Sequence, residues 1–78
     1  SRIHNANFEN ADLSTALLDY SLLIGANLKG VNFTGAKLNF ADLTDADLTG
    51  AILDNTVVRG VKFCNTTMPD GSINNSGC

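Results

Sequence analysis

Few side chains in this chain could do chemistry, and none is well placed for it. His4 is the only histidine and has no Ser or Cys nucleophile beside it in sequence. An imidazole can act as a base or a metal ligand, but alone near a terminus it reads as a solvated side chain. Cys64 and Cys78 are the only cysteines. Without a second His or Cys pair they cannot complete a four-ligand zinc site, and their spacing is unlike a Cys-x-x-Cys redox motif. They are either one disulfide in an oxidising compartment or two free thiols in a reducing cytoplasm. Asp42, Asp45, Asp47 and Asp54 fall close together and raise the question of calcium. Asn32-Phe33-Thr34, Asn65-Thr66-Thr67 and Asn74-Asn75-Ser76 match the glycosylation acceptor pattern, which a chain rich in Asn and Thr produces by accident. No constellation assembles a catalytic, cofactor-binding or metal site, so the expectation is a protein that is not an enzyme.

Composition narrows the classes further. With 78 residues the chain is one small domain, marginal without a staple. A net charge of −3 argues against nucleic-acid binding, which calls for a basic patch. No apolar run reaches membrane-spanning length, so no membrane insertion is expected, and there is no signal-peptide pattern. The chain opens at Ser1 rather than Met, as a processed form would.

The elements that must position these residues are set by a period of five. Ile3, Phe8, Leu13, Leu18, Leu23, Leu28, Phe33, Leu38, Leu43, Leu48, Leu53, Val58 and Phe63 form an unbroken apolar row. Two residues before each, from Ala6 to Val61, stands a small or β-branched residue. Neither an α-helix at 3.6 nor a strand at 2 accommodates such spacing. A pattern that both reject, held this long, is a repeat architecture. Residues 1–5 are a lead-in, residues 6–65 divide into five-residue units, and residues 66–78 depart from the pattern. The fifth position of a unit is often Gly25, Gly30, Gly35, Gly50 or Gly60, or else Asn or Asp, types that accept a turn at positive φ.

The units Ala41-Asp42-Leu43-Thr44-Asp45 and Ala46-Asp47-Leu48-Thr49-Gly50 show the pattern best. They resemble the pentapeptide-repeat family, with its A(D/N)LXX consensus. The resemblance implies an all-β fold: a right-handed quadrilateral parallel β-helix in which each unit makes one side and four units one coil. Here that gives about three coils and an irregular C-terminal capping tail. Positions twenty apart then stack at about 4.8 Å, and Leu43 becomes one of the most buried side chains. The four acids spread over three sides, and Asp at the second position belongs to the repeat, where it solvates and makes turn hydrogen bonds. The tail FCNTTMPDGSINNSGC is similar to the C-terminal segment of cyanobacterial and thylakoid-lumen members. In strict register Cys64 and Cys78 would point apart, so a bridge requires the tail to fold back. The resemblance favours that bridge, with the tail leaving the repeat near Thr66, and the thylakoid lumen or a cyanobacterial lumen or periplasm as compartment.

Departures from the consensus carry what functional signal there is. Leu17, Leu22, Ile24, Ile52 and Val57 occupy positions expected to be polar, and Tyr20 and Phe40 stand where Gly is common. In a four-unit coil Tyr20 and Phe40 stack on one corner, flanked by Leu17 and Val57 on one side and Leu22 and Ile24 on the next. A contiguous apolar surface of this kind is expected to contact a partner protein or a second copy. The expected role is therefore a scaffold or interaction module without a cofactor. Another branch of the family, the gyrase-binding DNA mimics of quinolone resistance, offers an alternative. Those bear a strong negative stripe, which Arg2, Lys29, Lys37, Arg59 and Lys62 would interrupt here.

Overall fold

The structure, a computed structural model, describes residues 6–78. Ile3, at the head of the apolar row, and His4 and Arg2 lie outside the described residues. Each five-residue unit of the first two coils contributes one short parallel bridge to the unit twenty residues later. Asn7↔Asn27, Asp12↔Asn32, Leu17↔Lys37 and Leu22↔Asp42 join the first coil to the second. Asn27↔Asp47, Asn32↔Ile52, Lys37↔Val57 and Asp42↔Lys62 join the second to the third. Four stacked sides result. Side one comprises 6–10, 26–30 and 46–50; side two 11–15, 31–35 and 51–55; side three 16–20, 36–40 and 56–60; side four 21–25, 41–45 and 61–65.

Backbone groups along the sides are satisfied between coils. The Phe8 N–H donates to Asn27 O at 2.8 Å, and the Asn27 N–H donates back to Ala6 O at 2.8 Å. Corners close locally, as where the Ala11 N–H donates to Phe8 O at 2.8 Å. That closure needs a left-handed residue at the fifth position of the unit, met by Gly30 at φ 67° and by Asn10 at φ 62°. The chain therefore turns through a corner once per unit, and the period of five follows from that geometry.

The inner row and the small residues fill the column. Leu28, Val31, Phe33, Ala36, Leu38, Ala41 and Leu43 are fully buried, and Leu23, Ala26, Ala46 and Leu48 are nearly so. All belong to the middle coil or border it. Phe8, Leu13 and Leu18 in the first coil and Leu53 and Phe63 in the third are partly buried, since each has a coil on one face only. Thr66 takes a small-residue position and is buried; its hydroxyl donates to Leu43 O at 2.6 Å.

The C-terminal segment leaves the column as a hairpin. β1 (Thr66–Thr67) pairs antiparallel with β2 (Ile73–Asn74), in register Thr66↔Asn74 and Thr67↔Ile73. Coil register persists further than residue 65, through the Asp47↔Thr67 bridge and the Gly50 N–H bond to Pro69 O at 3.1 Å. The chain then reverses: the Gly71 N–H donates to Met68 O at 2.8 Å, and Asp70 Oδ1 accepts the Ser72 N–H at 3.0 Å. Beyond β2 the chain ends in a disulfide from Cys78 to Cys64, with their Cα atoms 4.9 Å apart. No α-helix occurs among the described residues, and none of them forms a helix long and apolar enough to cross a membrane.

Candidate functional site: the face and corner of side three

On half of the units the second residue is Asn or Asp, and its side chain accepts the N–H two residues ahead. Asn7 Oδ1 takes the Glu9 N–H, Asp12 the Ser14 N–H, Asn32 the Thr34 N–H and Asp47 the Thr49 N–H, each at 3.0 Å. These short-range bonds satisfy backbone donors that coil stacking leaves over. Where the acceptor is a carboxylate, the bond favours its charged form. The Ser14 hydroxyl and N–H hold Asp12 below the usual carboxylate range, and the Thr49 hydroxyl and N–H do the same for Asp47.

Side three has no such residue. Leu17, Lys37 and Val57 occupy its second positions, so no side-chain acceptor stands two residues before Asn39. The Asn39 N–H turns instead to Asp19 Oδ1 in the preceding coil, at 3.0 Å. The Asn39 side chain gains nothing from this arrangement: its Oδ1 is shut away from solvent with no hydrogen-bond partner among the described residues.

The corner that ends side three is equally unlike the others. Tyr20 at φ 63° and Phe40 at φ 59° hold the left-handed conformation that the neighbouring corners give to Gly, Asn or Asp, with Thr15 the exception. For such residues that backbone costs roughly 1–2 kcal/mol each. Their rings stack at 5.4 Å between centroids, 14° from parallel. The Phe40 ring lies over Gly60, where an added Cβ would come within 2.5–2.6 Å of Cδ1 and Cε1. Leu17 is 76 % exposed, Tyr20 69 %, Phe40 54 % and Val57 40 %. An open groove of about 610 Å³ is lined by Asp19, Tyr20, Lys37, Asn39, Phe40, Val57 and Arg59.

Of the apolar residues picked out in sequence, Leu17, Tyr20, Phe40 and Val57 share this side and its corner. Leu22 and Ile24, one side further on, are half-buried and stand outside the groove lining. Asp19 and Asn39 were not singled out in sequence, and Lys37 and Arg59 only as cations interrupting an acidic stripe, although second and fourth positions of one side necessarily face the same way. Val58 differs as well. Its place in the inner row predicts burial, yet it is 39 % exposed, because the hairpin covers other parts of the last coil. Ile73 on that hairpin is 54 % exposed.

Three of the acids raised for calcium, Asp42, Asp45 and Asp47, serve the turns and the stack. Asp42 Oδ1 accepts the Thr44 N–H at 3.0 Å, and Asp45 Oδ1 accepts Asn65 Nδ2–H at 2.8 Å. Among the described residues no three His, Cys, Asp or Glu side chains are grouped to hold a metal ion. The geometry of side three suits contact: stacked rings, aliphatic neighbours, two cations and an uncommitted amide.

A family model described as pentapeptide repeats (8 copies) matches residues 1–35, 12–50 and 41–75. The chain belongs to the pentapeptide repeat family, and its fold is the right-handed quadrilateral β-helix of that family. Among solved structures, it is similar to HetL, a pentapeptide repeat protein involved in heterocyst differentiation regulation in the cyanobacterium Nostoc sp. strain PCC 7120. That similarity has 28 % identity and a TM-score of 0.57, covering 94 % of this chain and 43 % of HetL. Rfr23 from the cyanobacterium Cyanothece 51142 matches at 28 % identity and TM-score 0.42, over 77 % of this chain and 54 % of that one. A pentapeptide repeat protein of the Arabidopsis thaliana thylakoid lumen matches at 22 % identity and TM-score 0.47, over 94 % of this chain and 61 % of that one. The chain thus spans between two-fifths and two-thirds of the length of these structures. No curated protein matches it.

Proposed function

We propose that this chain is a non-enzymatic interaction module of an oxidising compartment, the thylakoid lumen or its cyanobacterial equivalent. It would bind a partner protein, or a second copy, through Leu17, Tyr20, Phe40 and Val57, with Leu22 and Ile24 at the margin. The observation that carries this reading is the aromatic corner. Tyr20 and Phe40 adopt a backbone conformation that is unfavourable for them and remain more than half exposed. A repeat column needs neither ring to close its interior, and Gly or Asn would turn the corner at lower cost. Large exposed side chains held at such a cost are those an interface uses as anchors. The compartment rests on the Cys64–Cys78 bridge, since disulfides persist where the environment oxidises. The DNA-mimic alternative draws little support from side three, where Lys37 and Arg59 break any acidic stripe.

The test is a Tyr20→Asp, Phe40→Asp variant. Asp accepts positive φ, so the corner survives while the rings are lost. Sedimentation and partner capture from lumen extract should show association by the parent and none by the variant, at an unchanged melting temperature. Association that persists unchanged in a folded variant would remove the surface from consideration.

A further inference from the structure

We propose that the groove on side three binds an extended acidic peptide segment, its carboxylates paired with Lys37 and Arg59 and an apolar side chain laid on the Tyr20–Phe40 stack. This inference rests on the interaction reading above and names the chemistry of the partner. Charge is the first argument. The chain carries −3 overall, yet this groove presents two cations against one carboxylate. That carboxylate, Asp19, already accepts the Asn39 N–H. Neither Lys37 nor Arg59 forms an ion pair among the described residues, whereas Lys29 on side one lies 3.7 Å from Asp47. A local positive site on an acidic protein selects an acidic partner and steers its approach.

Shape is the second argument. The space is an open groove along one face rather than an enclosed cavity, which suits a segment of chain better than a small molecule. Asn39 supplies the third. Its side-chain oxygen has no donor, so turning the amide outward breaks no hydrogen bond made by that oxygen. Presented to the groove, the amide can accept from a peptide N–H, relieving a buried unsatisfied group. A single-stranded nucleic acid would also use cations and stacked rings, but two cations against a net charge of −3 offer too little phosphate neutralisation.

The test is fluorescence anisotropy with the full chain and three fluorescein-labelled probes. These are a peptide alternating Glu and Phe with Ser spacers, the same peptide with Lys for Glu, and an oligothymidylate. The acidic peptide should bind in preference to both others and weaken as salt rises. Lys37→Glu, Arg59→Glu should weaken it about tenfold or more, and the milder Lys37→Gln, Arg59→Gln should weaken it less. Equal binding of the Lys peptide, preference for the oligonucleotide, or indifference to charge reversal in a folded variant overturns the proposal. If charge reversal has no effect but Tyr20→Asp, Phe40→Asp still abolishes partner capture, the acidic-peptide assignment fails and the interaction surface stands. If neither variant changes any measurement, both fail.

Discussion

Gly60 and Phe40 form a pair at the level of single residues. The glycine holds φ 71° and leaves room for the ring of Phe40, which a Cβ would strike. Gly60→Ala should therefore lose roughly 1–2 kcal/mol for the left-handed backbone, plus whatever it takes to push the ring aside. In a Phe40→Asn background only the backbone part should remain, so urea denaturation of the double-mutant cycle should show coupling. Independent, additive effects would mean that the ring does not rest there. Leu43, fully buried in the middle coil, makes the opposite kind of test. Leu43→Ala should destabilise by about 2–5 kcal/mol, against little change for an exposed residue such as Leu17.

At the scale of the unit and the cap, two devices hold the column together. The first is the side-chain-to-backbone turn made by second-position acids and, in the hairpin of the cap, by Asp70. Asp12, Asp47 and Asp70 are held below the ordinary carboxylate pKa by the hydroxyl and N–H of Ser14, Thr49 and Ser72 respectively. A folded-state pKa below the unfolded value means stability that is present above the unfolded pKa and lost as pH falls through the folded one. Thermal melts should therefore fall as the pH drops below about 4. Asp12→Asn, Asp47→Asn should flatten that dependence while preserving the turns, as Asn7 and Asn32 already do. An unchanged acid limb would show that these carboxylates are not held so. The second device is the cap. Its Gly77 N–H donates to Phe63 O at 2.8 Å, and a Cβ on Gly77 would approach Phe63 N to 2.7 Å. Reduction of Cys64–Cys78, which frees a loop spanning 14 positions, should cost about 3 kcal/mol. Gly77→Ala should loosen the cap even with the disulfide intact. A melting temperature indifferent to both changes would mean that the cap adds nothing to the column.

Across the whole molecule, the period of five marked a repeat, and the resemblance to the pentapeptide-repeat family supplied its β-helical form. Leu23, Leu28, Phe33, Leu38, Leu43 and Leu48 lie inside where the row places them, because a repeat fixes side-chain direction as firmly as a strand does. Ends of the column were less legible. Val58 obeys the pattern yet meets solvent, since its burial depends on where the cap lies and not on its own register. The antiparallel return of β2 was likewise visible only as a tail able to fold back. The aromatic corner was legible from Tyr20 and Phe40 standing where Gly is common, but its polar half was not. Asp19, Asn39 and Arg59 occupy fourth positions, where polar residues are ordinary, and only the loss of an acceptor at position 37 makes Asn39 unusual.

The account turns on the claim that these two rings serve something outside the column, and equilibrium unfolding of Tyr20→Asn, Phe40→Asn tests it most directly. Relief of two left-handed aromatic residues, roughly 1–2 kcal/mol each, offsets the lost stacking of about 0.5–1.5 kcal/mol and some ring burial. The predicted stability is thus within about 1 kcal/mol of the parent, with the same cooperative transition. A loss of more than about 3 kcal/mol would be the scale of a core truncation. It would contradict the account by making the corner part of what holds the fold together.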